Sequence, residues 1–146
     1  MDVAQAYLNA DMPHDIYVSL DPKVAEIIIN LDPEFAQYRE ADGRILMKLN
    51  KAQYGCIQSA RLWYNTLSEY LKSIGFVVNP YDNCILERVN AKGEKIYAAI
   101  YVDDIKCFSE SQAELDLLQS QLESVLGKLT VTDGDIHQYL GMVFDY

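Results

Sequence analysis

Two amphipathic stripes bracket a block of apolar strand sequence, and this bracket limits the fold more than any other feature. From Ser59 the apolar positions Trp63, Leu67, Leu71 and Ile74 recur every third or fourth residue, and Gly75 and Pro80 then stop the pattern. Ser59 is expected to cap this helix. A second helix is expected from Ser111, in capping-box spacing with Glu114, carrying Leu115, Leu118, Leu122 and Val125 on one face and ending at Gly127. Both stripes read as ordinary core faces. Between them, residues 84–89 and 95–102 are β-branched and apolar, joined by the hairpin signal Asn90-Ala91-Lys92-Gly93. Residues 105–108 form a further short strand, and residues 129–131 and 136–146 follow around a turn at Thr132-Asp133-Gly134-Asp135. Before Ser59 the pattern weakens. Short helices over 22–29 and 33–40 each open on Asp-Pro, which suits an N-cap followed by the first helical position, and residues 44–49 read as a strand. Helices alternating irregularly with hairpins predict an α+β fold, a mostly antiparallel sheet with helices packed on one face.

The chain has 146 residues, half of them apolar, with only 7 Gly and 4 Pro. That is one compact domain's worth of chain, and collagen-like or disordered classes are excluded. No apolar run approaches the ~20 residues that span a bilayer, and no basic stretch leads into an apolar one at the start. The expectation is a soluble, intracellular chain with no membrane partner. Cys56, Cys84 and Cys107 are widely spaced and odd in number, so they build neither a disulfide framework nor a metal knuckle. A net charge of −10 argues against autonomous nucleic-acid binding, which needs Lys and Arg to displace counterions.

Asp103-Asp104 is the most informative dipeptide. It joins two apolar strands, where a two-residue hairpin turn normally takes Asn-Gly or Asp-Gly. Adjacent carboxylates there bring backbone strain and like-charge repulsion together, a conflict of local rules that marks candidate functional sites. The ordinary alternative is that Asp is simply a good turn residue. Binding of hard divalent cations would justify the conflict, since Mg²⁺ takes carboxylate oxygens and leaves its other positions to water and phosphate. A further carboxylate is then required from a neighbouring strand, and Asp2 is the candidate.

The residues around Asp2, from Asp2-Val3-Ala4-Gln5-Ala6-Tyr7-Leu8-Asn9-Ala10 to Ile16-Tyr17, resemble motif A of copia-type retrotransposon reverse transcriptases. The stretch from Lys48-Leu49-Asn50-Lys51-Ala52-Gln53-Tyr54-Gly55 through Cys56-Ile57-Gln58-Ser59-Ala60-Arg61-Leu62-Trp63-Tyr64 resembles motif B. Tyr101-Val102-Asp103-Asp104 resembles motif C, and Tyr139-Leu140-Gly141-Met142 the element that closes the region. Four ordered motifs make the resemblance specific, and it covers essentially the whole chain.

The resemblance implies a single partial reverse-transcriptase domain over residues 1–146. This would be a palm with part of the fingers, its sheet ferredoxin-like, truncated at both ends and without thumb or RNase H. It implies RNA-directed DNA synthesis by two-metal nucleotidyl transfer, with Asp2, Asp103 and Asp104 catalytic. Two Mg²⁺ ions, or Mn²⁺ in their place, would be held by Asp2, Asp103, Asp104 and the Val3 carbonyl. Tyr7 would be the steric gate against a ribose 2′-OH, Tyr54 and Gly55 would line the nucleotide pocket, and Gln58, Ser59 and Arg61 would lie near the template. The implied partners are an RNA template, a DNA primer, a dNTP and the rest of the Pol polyprotein: fingers, thumb, RNase H and integrase. The implied location is cytoplasmic, in a virus-like particle of the element, or nuclear. Gln53, Ile57 and Ala60 depart from the usual Leu, Lys and Pro of motif B, which removes one phosphate contact. Met1 suits a start codon and equally a position inside a longer reading frame. The basic grip on nucleic acid would then belong to other parts of the polyprotein. The competing expectation is a catalytically inactive, decayed or co-opted fragment that binds a partner through an exposed sheet edge. A palm-like cyclase is a third reading, against which the full motif B argues.

Overall fold

The computed structural model describes residues 1–134 and 136–145. Its centre is an antiparallel sheet in the order β3-β4-β5-β6: β3 Val77–Val78, β4 Ile85–Val89, β5 Lys95–Tyr101 and β6 Asp104–Ser109. The helices α2 (Ser59–Ser73) and α3 (Gln112–Leu126) flank this block in sequence and cover one face of it, as the two stripes predict. Alternation along β5 turns Ile96, Ala98 and Ile100 inward, against Trp63, Leu67 and Leu71 of α2 and Leu118 and Leu122 of α3. The fold is α+β, with antiparallel sheets throughout.

The first residues complete the sheet. Met1 accepts a backbone hydrogen bond from Ile105 (2.8 Å), Val3 donates to Asp103 (2.9 Å), and Asp2 exchanges bonds with Thr130 on its other side (2.8 and 3.1 Å). Residues 1–3 therefore lie between the start of β6 and the segment at Thr130, pairing along Asp103 to Ile105. Residues 129–131, expected as a strand, contribute only that bridge.

A smaller layer stands apart from this core. β1 (Tyr17–Leu20) pairs with β2 (Ile45–Lys48), and between them run α1 (Pro22–Leu31) and a 3-10 helix, Pro33–Tyr38. Asp21 and Asp32 cap these as the Asp-Pro pairs predict. Another 3-10 helix, Ala6–Asn9, and the strands β1 and β3 went unread in the sequence.

Four local expectations are corrected. Ser59 is the first residue of α2 and not its cap; its hydroxyl donates to the Gln53 carbonyl (2.6 Å) and accepts from the Gln53 N–H (3.0 Å). Ser111 occupies the N-cap of α3 without a side-chain bond, and the Glu114 carboxylate accepts from Arg88 (2.9 Å) and Asn90 (2.9 Å) while the Ser111 N–H donates to the Ser109 hydroxyl (3.2 Å). Val125 is 56% exposed, and Leu126 packs toward the core in its place. The expected strand over 136–146 is a hairpin, β7 (Ile136–Tyr139) and β8 (Met142–Asp145), turning at Leu140 and Gly141, both at positive φ. This hairpin meets the outer face of the sheet, where the Tyr139 hydroxyl donates to Ala99 O (3.4 Å) and the Lys106 ammonium lies 5.3 Å from the Phe144 ring centre. The Asp135 end of the expected turn and Tyr146 lie outside the described residues.

Candidate active site

The strand formed by residues 1–3 sets the geometry of the site. The bonds Ile105 to Met1 and Val3 to Asp103 flank Asp2 and Asp104, which makes these two a non-hydrogen-bonded antiparallel pair. Such pairs have the closest Cα spacing in a sheet, about 4.5 Å, with both side chains on one face. Asp2 thus faces Asp104, although their strands come from opposite ends of the motif order.

The turn differs by one residue from the sequence expectation. Tyr101 pairs with Asp104, so the turn residues are Val102 and Asp103, and Asp104 is already the first residue of β6. The strain falls on Val102, at φ 51°, a region that a β-branched side chain rarely enters. Asp103 is exposed at the tip. Trp63, buried in the core, donates its indole N–H to the Val102 carbonyl at 2.5 Å. The apolar stripe marks Trp63 only as core; the signal for more is that a buried Trp needs a partner for its N–H.

The carboxyl of Asp104 is pushed above the usual aspartate range, first by burial, then by the charges of Asp103 and Asp2, with the Met1 ammonium working in the opposite direction. Asp104 therefore feels the other two carboxylates. Among the described residues no group of three or more His, Cys, Asp or Glu side chains is gathered closely enough to cage a metal ion.

Two separate cavities border these aspartates. One, of about 520 Å³, is walled by Tyr7, Tyr54, Gln53, Val102 and Asp103, and the rings of Tyr7 and Tyr54 stack with centroids 6.3 Å apart and planes at 26°. Tyr54 stands 88% exposed on its loop, and Gly55 beside it takes φ 97°, which requires glycine on backbone grounds alone because nothing crowds its Cβ position. The other cavity, of about 230 Å³, has Asp2, Asp104, Lys106, Gln119, His137 and Tyr139 in its lining. Burial, and then the charge of Asp104, push the Tyr139 phenol upward, so this hydroxyl stays a hydrogen-bond donor. Of the residues expected near the template, Gln58 is half-buried and Arg61 exposed, while Ser59 is 1% exposed with its hydroxyl committed to Gln53.

The family described as Reverse transcriptase (RNA-dependent DNA polymerase) matches residues 1–145. The chain belongs to the reverse transcriptase family. It is 31% identical to the Retrovirus-related Pol polyprotein from transposon RE1 of Arabidopsis thaliana, over 97% of this chain and 9% of that protein. It is 28% identical to the putative transposon Ty5-1 protein of Saccharomyces cerevisiae, over 97% of this chain and 41% of that protein. The Ty1-MR1 Gag-Pol polyprotein of the same yeast is 25% identical over 100% of this chain and 8% of its own length. These are copia-type Pol polyproteins, and this reverse-transcriptase domain spans a small part of most of them. No solved structure matches the chain.

Proposed function

We propose that this domain is the palm of an RNA-directed DNA polymerase, joining a dNTP to the 3′ end of a DNA primer on an RNA template. The observation that carries the reading is the pairing of Asp2 with Asp104 beside the Asp103 turn, which joins segments 104 positions apart in sequence at Met1 and Ile105. The donor set fits Mg²⁺, a hard cation usually held by one or two carboxylates plus substrate phosphates and water rather than by an all-protein cage. The residues that would hold the two ions are Asp2, Asp103 and Asp104, with the Val3 carbonyl, and Mn²⁺ is the natural substitute. When bound, the ions neutralise charge on the triphosphate and activate the primer hydroxyl.

The chain's own residues supply the positioning. The Tyr7 ring, held against Tyr54, closes the cleft beside Asp103 where a ribose 2′-OH would sit. The Tyr54 face is a stacking surface for a base. Gln58 and Arg61 flank the start of α2 as polar contacts for a template strand. At a net charge of −10 the domain repels nucleic acid, so the basic grip comes from the fingers, thumb and RNase H parts of the polyprotein, which also carries integrase. The site of action is the cytoplasmic virus-like particle, or the nucleus.

The test is primer extension on RNA with Mg²⁺ by the Pol enzyme that carries this segment. Asp103→Asn should lower extension at least about 10³-fold with the fold retained by circular dichroism. Tyr7→Ala should raise ribonucleotide incorporation, and the 146-residue chain by itself should extend negligibly. Undiminished extension by Asp103→Asn overturns the reading.

A further inference from the structure

We propose that Trp63 is a positioning residue: its indole N–H holds the Val102 carbonyl and thereby fixes the orientation of the Val102–Asp103 peptide. The consequence for catalysis rests on the polymerase reading; the conformational claim stands on the geometry. In a two-residue hairpin turn the peptide between the two central residues can face either way. One orientation puts only the first residue at positive φ (type II′), the other puts both there (type I′). Among the described non-glycine residues positive φ occurs at Gln5, Val102 and Leu140, so Asp103 keeps ordinary φ and the turn follows the first pattern. That pattern prefers glycine at its first position, and here the position is a β-branched valine. Flipping the peptide would carry Asp103 to positive φ and re-aim its carboxylate.

The strand ladder does not prevent that flip, because the Tyr101–Asp104 pair closes the hairpin outside the central peptide. The bond from Trp63 does, at 2.5 Å from a ring only 1% exposed. One turn earlier on α2, Ser59 holds both backbone polar groups of Gln53, next to Tyr54. The Tyr54 wall and the Asp103 wall of the same cleft are thus both referenced to α2, and Trp63 sets the second of them.

Trp63 is the only tryptophan, so its indole resonance needs no assignment. In the 146-residue chain its N–H should exchange slowly, as a buried donor does. Trp63→Phe, which keeps most of the ring and deletes the donor, should shift the amide resonances of Val102, Asp103 and Asp104 and leave those of α3 in place. In the Pol enzyme the same variant should lower kcat roughly tenfold to a hundredfold while KM for dNTP changes less than about twofold. Adding Val102→Gly, which takes positive φ without a Cβ clash, should recover most of that loss. Lost packing alone would not be rescued by a glycine across the bond. A fast-exchanging indole in the unaltered chain, or no rescue by Val102→Gly, overturns the proposal, and the first holds even if Trp63→Phe fails to fold. If the turn resonances shift and recover as stated while the unaltered Pol enzyme does not polymerise, the positioning role stands and the polymerase reading falls.

Discussion

The region that carries the aspartates and the region spanning residues 17–48 are built on different terms. Around the site, Trp63, Leu67, Leu71, Leu86, Ile96, Ile105, Leu118 and Leu122 are at most 1% exposed and form one continuous cluster with Val3 beside Asp2. In residues 17–48 only Ala25 and Ile45 are buried, and neither joins that cluster. Tyr17, Val24, Ile27, Leu31, Tyr38 and Leu46 all lie exposed there. The chain runs out to the second region and back through residues 10–16 and 49–52, which are held to each other by short backbone bonds, such as Met12 to Asn50 and Ala52 to Ala10, and by the surface pair Lys51–Asp11 at 2.7 Å. Exposed pairs of that kind contribute little. Apolar content alone therefore does not make a core. Periodicity that lets two helices and a sheet share one face does, and Asp2, Asp103 and Asp104 stand on the part that has it.

The sharpest way to break this contrast compares two side chains of equal burial. Leu67 and Ile45 are each 1% exposed. Leu67→Ala should lower the free energy of unfolding by about 2–5 kcal/mol, the range for a cavity in a well-packed core. Ile45→Ala should move the global transition by less than half as much, because the layer it supports can open separately. Urea denaturation followed by far-ultraviolet circular dichroism measures both, and equal losses would show one cooperative core where two are argued.

Hydrogen exchange sharpens the same point without mutation. Amides of β1, α1 and β2 should open at a free energy roughly 2 kcal/mol below those of β5, β6 and the middle of α2, about thirtyfold in protection. Uniform protection across the two regions would contradict the division.

The division also marks what could be read from sequence. α2, α3, β4 and β5 were legible because their apolar spacing is long and regular, and the Asn90 turn because its chemistry is local. The turn at the site lies one residue earlier than the Asp103-Asp104 pair suggests, because register and not turn chemistry places it. Ile100 pairs with Ile105, both inward, and that apolar pair forces Tyr101 opposite Asp104 and puts Val102 into the strained position. The facing of Asp2 and Asp104 depends on pairing across 102 residues, which no local pattern encodes. Ser59 and Glu114 carried correct helix-start signals, yet each side chain serves a tertiary bond to Gln53 or to Arg88 and Asn90. β1 and β3 were missed because short strands with mixed exposure carry no clean alternation.

A smaller effect separates the charged pairs of the two regions. Glu114 receives Asn90 Nδ2 at 2.9 Å and Arg88 at 2.9 Å. These hold its carboxyl below the usual glutamate range, the Asn90 bond first, with burial opposing them and Arg88 adding to the lowering. A depressed native pKa stabilises fully above the ordinary glutamate value of about 4.3 and is lost as pH falls through the lowered value. Glu114→Gln should therefore destabilise at neutral pH, and its difference from the unaltered chain should narrow as pH drops below ~4. Asp15, whose carboxyl Lys48 at the end of β2 lowers in the same direction at 2.5 Å, is exposed beside that layer, and Asp15→Asn should change global stability less at any pH. Urea midpoints at a series of pH values give both curves, and a larger effect at Asp15 would reverse the assignment of the two regions.

The smallest expected effect lies at Leu31, the last residue of α1 and 82% exposed. Leu31→Gln replaces one good helix former with another and leaves in place the bond by which Asp32 N–H caps the helix at Ile28 O (2.8 Å). Little apolar surface is buried at this side chain, so little transfer free energy is available to lose, and the change in unfolding free energy should stay within about 0.5 kcal/mol. The measurement is a pair of urea melts, each repeated over a hundredfold range of protein concentration. A loss above 1 kcal/mol that appears only at the higher concentrations would mean that the Val24, Ile27 and Leu31 row is covered by a second copy in solution. A loss of that size at every concentration would place Leu31 in a core of the same chain. Either result would dissolve the contrast between a region that buries its apolar residues and one that displays them.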